Sequence, residues 1–341
     1  MRAIHKELNI YYIYRYKYTR EDGIMKKVLL FDDMAEAGKA LLRAHGCELK
    51  ISKDKSEEGR IRDIQEFQPQ AIISKTDSPV TAAMIDAGNN LKILARHGVG
   101  VDNIDAAYAH KKGIYVTNVP GGNAVSVAEM AMFMVLACAK QYGAVRDHFS
   151  QGEFDVRYRI IGVELAGKTL GLVGTGHIGK RLAQMASGGF GMKVIGFSRH
   201  AVPGTVTAEG IEMQESREDV VKKADYVVLC LPSTPLTRHS FGAREFGLMK
   251  QTASFINVSR GNIVVEADLI SALQNGEIAA AGVDVFDPEP PAAANPLLHM
   301  ENVIATPHYA AVTKDALERL AVGAAKNVLQ ALSGEEPDHQ I

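Results

Sequence analysis

The chain has little cysteine, no excess of charge and no long hydrophobic run, and each shortage excludes a class of protein. Its 3 cysteines, Cys47, Cys138 and Cys230, lie far apart in 341 residues with no CxxC spacing. That argues against a disulfide framework and against a structural zinc site, and makes a reducing cytoplasm the expected setting. Lysine and arginine number 38 against 40 aspartates and glutamates, a formal net charge of −2. No global field therefore draws the chain to nucleic acid or to an anionic membrane surface. No apolar stretch approaches the ~20 residues needed to span a bilayer. What remains is a globular composition, 46% hydrophobic and 23% charged, in a length that suits about two domains with full cores.

Residues 1–24 are rich in tyrosine: Tyr11, Tyr12, Tyr14, Tyr16 and Tyr18. Arg15 and Lys17 interrupt the only apolar run there, and no small-residue cleavage site follows, which excludes a secretory signal. The alternation from Tyr14 to Tyr18 would suit an edge strand with one aromatic face. A poorly ordered extension ahead of Met25 is the expected alternative, because a strand pattern starts directly after Met25.

From there the sequence reads as two α/β units. Short apolar runs at 28–31, 47–51, 71–74, 91–95 and 114–118 alternate with helical or polar segments. Continuous apolar runs between helices indicate a parallel sheet buried on both faces. A long helical stretch follows from about Ala124 to about Phe149, with Ala128, Ala131, Met132 and Val135 on its apolar face. Its methionines suit a core or a subunit interface. A second series of strand candidates lies at 169–173, 193–197, 226–231, 254–258, 280–285 and 303–305, enough for a full dinucleotide-binding sheet. A last helix, about Lys314 to Leu332, has no strand after it.

The strand at 169–173 leads straight into Gly174-Thr175-Gly176-His177-Ile178-Gly179 and then a helix pattern. This is G-x-G-x-x-G in the context it requires. Gly174 permits the tight turn, Gly176 lets backbone approach a pyrophosphate, and Gly179 lets helix and strand pack closely. The helix N-terminus adds free N–H groups and partial positive charge. The following strand ends at Ser198-Arg199, where an NAD enzyme usually carries an acid for the ribose 2′-hydroxyl. A hydroxyl beside a guanidinium suits a 2′-phosphate instead. NADP(H) is therefore the expected preference, with NAD(H) as the alternative and a solvated Arg199 as the competing reading.

Three further strands end on chemistry: Asn257-Val258-Ser259-Arg260-Gly261, then Asp284-Val285-Phe286-Asp287-Pro288-Glu289, then Thr306-Pro307-His308. Open α/β sheets bind ligands at such ends. Separately, each has a dull explanation as an ion pair, a loop carboxylate or a stray histidine. Together they supply an anion binder, a carboxylate and an imidazole.

These segments, with Arg96-His97-Gly98-Val99-Gly100-Val101-Asp102-Asn103-Ile104-Asp105, Ser126-Val127-Ala128-Glu129, Glu164 to Gly171 and Pro235-Leu236-Thr237, carry a family likeness. From Met25 to Leu332 the sequence resembles the D-isomer-specific 2-hydroxyacid dehydrogenases, most of all the phosphoglycerate dehydrogenase-like branch. The resemblance implies an α/β protein of two Rossmann-like domains with a cleft between them: a flavodoxin-like substrate domain, 25–123 plus 309–341, and a doubly wound nucleotide domain, 124–308. It implies that Arg260 binds the substrate carboxylate and polarises the keto oxygen. His308 would protonate that oxygen, and Glu289 would pair with His308 and orient its ring. Asp284 would meet the nicotinamide carboxamide. The same resemblance puts Gly174, Gly176, His177, Ile178, Gly179, Ser198, Arg199, Leu231, Pro232, Thr237, Val258, Ser259, Arg260, Asp284, His308 and Ala310 around the cofactor. It puts Lys75, Val99, Gly100, Arg260 and His308 around the substrate, and the long helix in a homodimer.

Several positions depart from the family pattern. Ala310 and Ala311 stand where glycine often follows the histidine, Cys230 stands where many members have histidine, and Ser198-Arg199 replaces the usual acid. Lys75, near an arginine position of the phosphoglycerate branch, reads equally as a second anion binder or a solvated lysine. Without room for a C-terminal regulatory domain, feedback inhibition through one is not expected. The leading functional expectation is a reductase of small 2-keto acids such as glyoxylate or hydroxypyruvate. The alternatives are a D-3-phosphoglycerate dehydrogenase and, from another class, a dinucleotide-sensing regulator of corepressor type.

Overall fold

The computed structural model describes residues 25–76 and 78–341; residues 1–24, and with them the choice between edge strand and extension, lie outside the described residues. The chain forms two compact units, one holding the chain up to Pro120 together with Leu317–Ile341, the other Gly121–Ala316.

The first unit contains five strands: β1 (Lys26–Leu30), β2 (Cys47–Ile51), β3 (Ala71–Ser74), β4 (Ile93–Arg96) and β5 (Tyr115–Thr117). They lie in the order β2-β1-β3-β4-β5, all parallel. Side chains alternate between two cores. Val28 and Leu30 point to one, Leu29 and Phe31 to the other, as the twofold strand period requires. Helices α1 (Glu36–Ala44), α2 (Glu57–Phe67), α3 (Ala82–Asp86) and α4 (Ala106–Lys111) connect the strands. The C-terminal helix, Lys314–Ser333, returns to this unit and buries Leu320, Ala321, Ala324 and Val328 beside Val28 and Leu30.

The second unit contains β6 (Thr169–Val173), β7 (Lys193–Phe197), β8 (Glu212–Met213), β9 (Tyr226–Leu229), β10 (Ser254–Asn257), β11 (Ala280–Val283) and β12 (Val303–Ala305). Their order, β12-β11-β10-β9-β6-β7-β8, is parallel throughout and reverses between β6 and β9. That is the doubly wound sheet, whose reversal point is where such folds bind dinucleotides. On one face Phe241, Phe246 and Phe255 form a cluster with ring centroids 4.9–5.2 Å apart. On the other face α5 (Ala124–Ala139) packs with the helix that follows β6.

Three sequence expectations are corrected. Strand β8 was absent from them, because two residues at a sheet edge give no periodicity to read. The helix expected to run from Ala124 to Phe149 is two, α5 and α6 (Tyr142–Ser150), bent by 66° at the break. Gln141 takes a left-handed φ of 48° there, and the break is pinned as Lys140 Nζ donates to the Val163 carbonyl and Gln141 Nε2 to that of Ile161. The second unit also extends from Gly121 to Ala316 rather than from 124 to 308. Residues 309–316 are held there because the Tyr309 and Ala310 N–H groups bond Asp284 and the Thr313 hydroxyl meets Ser126 Oγ. Among the described residues no single helix is long and apolar enough to cross a membrane.

One buried base in the first unit makes its stability pH-dependent. His97, just past β4, is 4% exposed. Burial, with the charge of Lys75 acting the same way, pushes its pKa down to about 4. The unfolded chain takes up this proton near pH 6.5, so between those values the unfolded state binds more protons. Stability is then complete above pH 6.5 and falls as the pH drops toward 4, by about 3 kcal/mol. His97→Gln should flatten this part of a urea-unfolding series taken against pH; an unchanged slope would exclude His97 as its source.

Candidate active site

The glycine-rich turn lies at the sheet reversal. Gly174 has φ +102°, and a Cβ there would stand 2.4 Å from the Cys230 carbonyl oxygen and 3.2 Å from the Leu231 side chain. The tight turn and the close approach of the β6 and β9 ends thus need the same residue to lack a side chain. Gly176 precedes α7 (His177–Phe190) with nothing within 4 Å of where its Cβ would be. That open backbone at the N-terminus of a long helix is a cradle which any side chain would fill. It fits a dinucleotide pyrophosphate, held by the N–H groups of the helix's first turn. His177 is exposed at the helix start, while Ile178 is half-buried against the core.

Around this turn the other expected cofactor positions gather at strand ends. Ser198 and Arg199 follow β7, Ser198 half-buried and Arg199 exposed. Leu231 N–H donates to Ser259 Oγ, whose hydroxyl donates to the Leu229 carbonyl, so one side chain ties the ends of β9 and β10. Val258 is buried beneath this tie. Thr237 closes the turn after Pro232 by donating to the Pro232 carbonyl. At Ala310 the methyl is buried and the N–H is committed to Asp284, which leaves its carbonyl as the group able to meet a ligand.

Arg260, Glu289 and His308 come together within the second unit. A Cβ at Gly261 would stand 2.0 Å from the Phe286 carbonyl, so this glycine brings the segment carrying Arg260 against the one carrying Glu289. Arg260 Nη1 donates to its neighbour's carbonyl, Ser259 O, at 2.8 Å, and Asn257 Nδ2 bonds the Arg260 carbonyl at 3.0 Å. Glu289 accepts the Phe286 N–H on Oε1 at 3.0 Å and meets His308 Nδ1 with Oε2 at 2.8 Å. Burial alone would raise the Glu289 pKa. The bonds from His308 and Phe286 and the charges of His308 and Arg260 outweigh it and hold the carboxyl below its ordinary value. With Nδ1 engaged, Nε2 is the ring nitrogen left to meet a ligand.

His308 itself adopts φ +52°, a left-handed conformation uncommon outside glycine. Asp284, 1% exposed, holds it there. Its backbone carbonyl accepts the His308 N–H at 2.7 Å. Its Oδ1 accepts the Thr306 hydroxyl at 2.5 Å and the Tyr309 N–H at 2.7 Å, and Oδ2 accepts the Ala310 N–H at 3.0 Å. Burial raises the Asp284 pKa, and these bonds offset the rise only in part. Thr306 was missed from sequence; its signal was a hydroxyl two residues before the histidine.

In the first unit, Val99 and Gly100 lie in the turn after β4, and Lys75 follows β3. Asn103 Nδ2 bonds the carbonyls of Lys75, Thr76 and Ser78 at 2.9–3.2 Å, which fixes the backbone that carries Lys75.

Comparison with known proteins agrees with this geometry. Residues 132–310 match the model of the D-isomer specific 2-hydroxyacid dehydrogenase, NAD binding domain. The chain is 36% identical over 317 residues to a D-3-phosphoglycerate dehydrogenase of Methanocaldococcus jannaschii, covering 93% of this chain and 59% of that relative's own length. It is 35% identical over 287 residues to a hydroxypyruvate reductase of Thermotoga maritima, covering 84% of this chain and 92% of the relative. The fold matches the crystal structure of the TT0316 protein of Thermus thermophilus with a TM-score of 0.84 at 30% identity, covering 92% and 99% of the two chains. A nucleotide cradle at the sheet reversal, a carboxylate-held histidine beside an arginine, and likeness to the reductase over nearly its whole length converge: the chain belongs to the D-isomer specific 2-hydroxyacid dehydrogenase family.

Proposed function

We propose that this chain is an oxidoreductase that reduces the C2 carbonyl of a small 2-keto acid, of the glyoxylate or hydroxypyruvate type, with NADPH preferred over NADH. The observation that carries this reading is the 2.8 Å contact between His308 Nδ1 and Glu289 Oε2 beside Arg260. The bound nicotinamide supplies a hydride. Hydride addition to a ketone creates an alkoxide that needs a proton and nearby positive charge. His308 gives the proton from Nε2, a transfer worth typically 10²–10⁴-fold. Glu289, kept ionised, fixes the ring and compensates its charge. Arg260 holds the substrate carboxylate and stabilises the developing oxyanion, a contribution whose loss typically costs about 10²–10³ in kcat. His308→Ala should lower kcat by roughly 10²–10⁴ while the affinity for NADPH, read by fluorescence titration, changes little. Full turnover in that variant would remove the proposed acid.

Ser198 and Arg199 support the cofactor preference, since no carboxylate follows β7 at 198–200 to accept a ribose hydroxyl or repel a phosphate. Ser198→Asp should reduce the NADPH-to-NADH ratio of kcat/KM at least tenfold; an unchanged ratio would mean that the two residues do not reach the cofactor.

Oxidation of 3-phosphoglycerate is the second reading, favoured by the 36% identity to a phosphoglycerate dehydrogenase and by the cationic Lys75 after β3. A steady-state panel of glyoxylate, hydroxypyruvate, pyruvate and phosphohydroxypyruvate with both cofactors separates them. Preference for the phosphorylated acid with NADH would replace the leading reading.

A homodimer completes the proposal. Phe133, Tyr142, Phe149, Phe154, Tyr158 and Ile161 are 48–71% exposed within one stretch of chain, and such aromatic exposure marks an interaction surface. A reducing, cytoplasmic setting accords with three unpaired cysteines. The 36.9 kDa chain should sediment as a dimer, and Phe149→Lys with Phe154→Lys should sediment as a monomer. A monomeric parent chain at micromolar concentration would overturn the dimer.

A further inference from the structure

The turn after β4 has its carbonyls clamped one after another. Val119 N–H donates to the Gly98 carbonyl at 2.9 Å. Asn118 Nδ2 donates to the Val99 carbonyl at 2.6 Å. Arg96 Nε, on a side chain only 3% exposed, donates to the Gly100 carbonyl at 2.7 Å. In a trans peptide the carbonyl of one residue and the N–H of the next point in opposite directions. Drawing these carbonyls toward the strand ends therefore presents the N–H groups of Val99, Gly100 and Val101 the other way. Among the described residues, Val99 and Gly100 N–H donate to no backbone carbonyl. Successive N–H groups turned to one side form a concavity suited to an anion.

Asn118 has a second set of bonds. Its N–H donates to the His339 carbonyl at 3.2 Å and its carbonyl accepts from Asn327 Nδ2 at 2.9 Å. Gln340 bridges Thr117 in antiparallel register, and Ile341 N–H donates to the Val116 carbonyl at 3.0 Å. The final residues thus line the otherwise open edge of β5, and Asn118 is the residue that joins this edge to the turn.

We infer that Asn118 is a positioning residue, which with the C-terminal segment His339–Ile341 as its brace holds the Val99–Gly100 turn in the form that receives a substrate carboxylate. This rests on the functional reading above for the keto acid, on the family likeness for putting Val99 and Gly100 around it, and on the structure of the first unit for how the turn is held. Removing the Asn118 amide frees the Val99 carbonyl, and its peptide can then rotate so that the Gly100 N–H no longer faces the ligand. Binding of the keto acid weakens, while the proton-transfer groups of the second unit are untouched.

The test is a kinetic split in the 341-residue chain. Asn118→Ala should raise the KM for the keto acid about tenfold, with kcat at saturation and the KM for NADPH each within about threefold of the parent. A chain ending at Asp338 should move the same constant in the same direction by about threefold. Combined with Asn118→Ala it should add nothing, because both act through one link. An unchanged keto-acid KM in both variants would overturn the inference, as would kcat and both KM values worsening together. Should Asn118→Ala fail to fold, Asn118→Ser and the shortened chain carry the same measurement. Should the parent turn over no keto acid, the functional reading fails by itself. Calorimetry with oxalate then decides the inference: a tenfold weaker Kd in Asn118→Ala supports it, and an equal Kd removes it.

Discussion

One buried carboxylate governs the chemistry-bearing end of the second unit. Asp284 takes its place on no hydrophobic merit, and burial works against its charge. What it gains is a set of donors: a hydroxyl from Thr306 and two backbone N–H groups from the residues after His308. Those bonds offset the unfavourable backbone of a left-handed histidine, a strain of the order of 1–3 kcal/mol. The ring of His308 can then meet Glu289, and Glu289 can sit between the charges of His308 and Arg260. Without Asp284 the three groups would share a neighbourhood but not a geometry.

The two units solve the same problem with the same means. Each sheet is parallel and buried on both faces, so backbone groups are free to act only where strands end. In the second unit the strand ends carry side-chain chemistry. In the first they carry clamped backbone, with Arg96, Asn118 and Val119 setting the direction of successive peptides. Ser259 and Asn103 play similar parts in ordering loops: neither has a charge, and each ties several backbone groups at once.

The sequence was readable where a residue's role follows from its type. Val28–Phe31 and Tyr226–Leu229 read as buried strands because each is apolar throughout, of strand length and preceded by charged residues, whereas the longer apolar run of α5 is helical. Arg260, Glu289 and His308 stood out because they are ionisable groups at strand ends. What stayed hidden were roles that depend on partners distant in sequence. Asn118 resembles any asparagine after a strand until the Val99 carbonyl is seen beside it. The break at Gln141 was invisible because the apolar pattern runs through it, and a left-handed glutamine announces itself by no neighbour. The boundary at Ala316 escaped because it is drawn by hydrogen bonds to Asp284 and Ser126, not by composition.

The first unit is assembled from both ends of the chain. Its core requires Leu320, Ala321, Ala324 and Val328, and its sheet edge is completed by residues that follow them. The second unit, Gly121–Ala316, is continuous. During synthesis from the N-terminus, the second unit therefore leaves the ribosome with everything it needs while the first still lacks a helix. The order in which the units can reach their final packing is the reverse of the order in which they begin. At ordinary translation rates, about 5–20 residues per second, the open face of β1 and β3 must wait roughly 10–40 seconds for the helix that covers it.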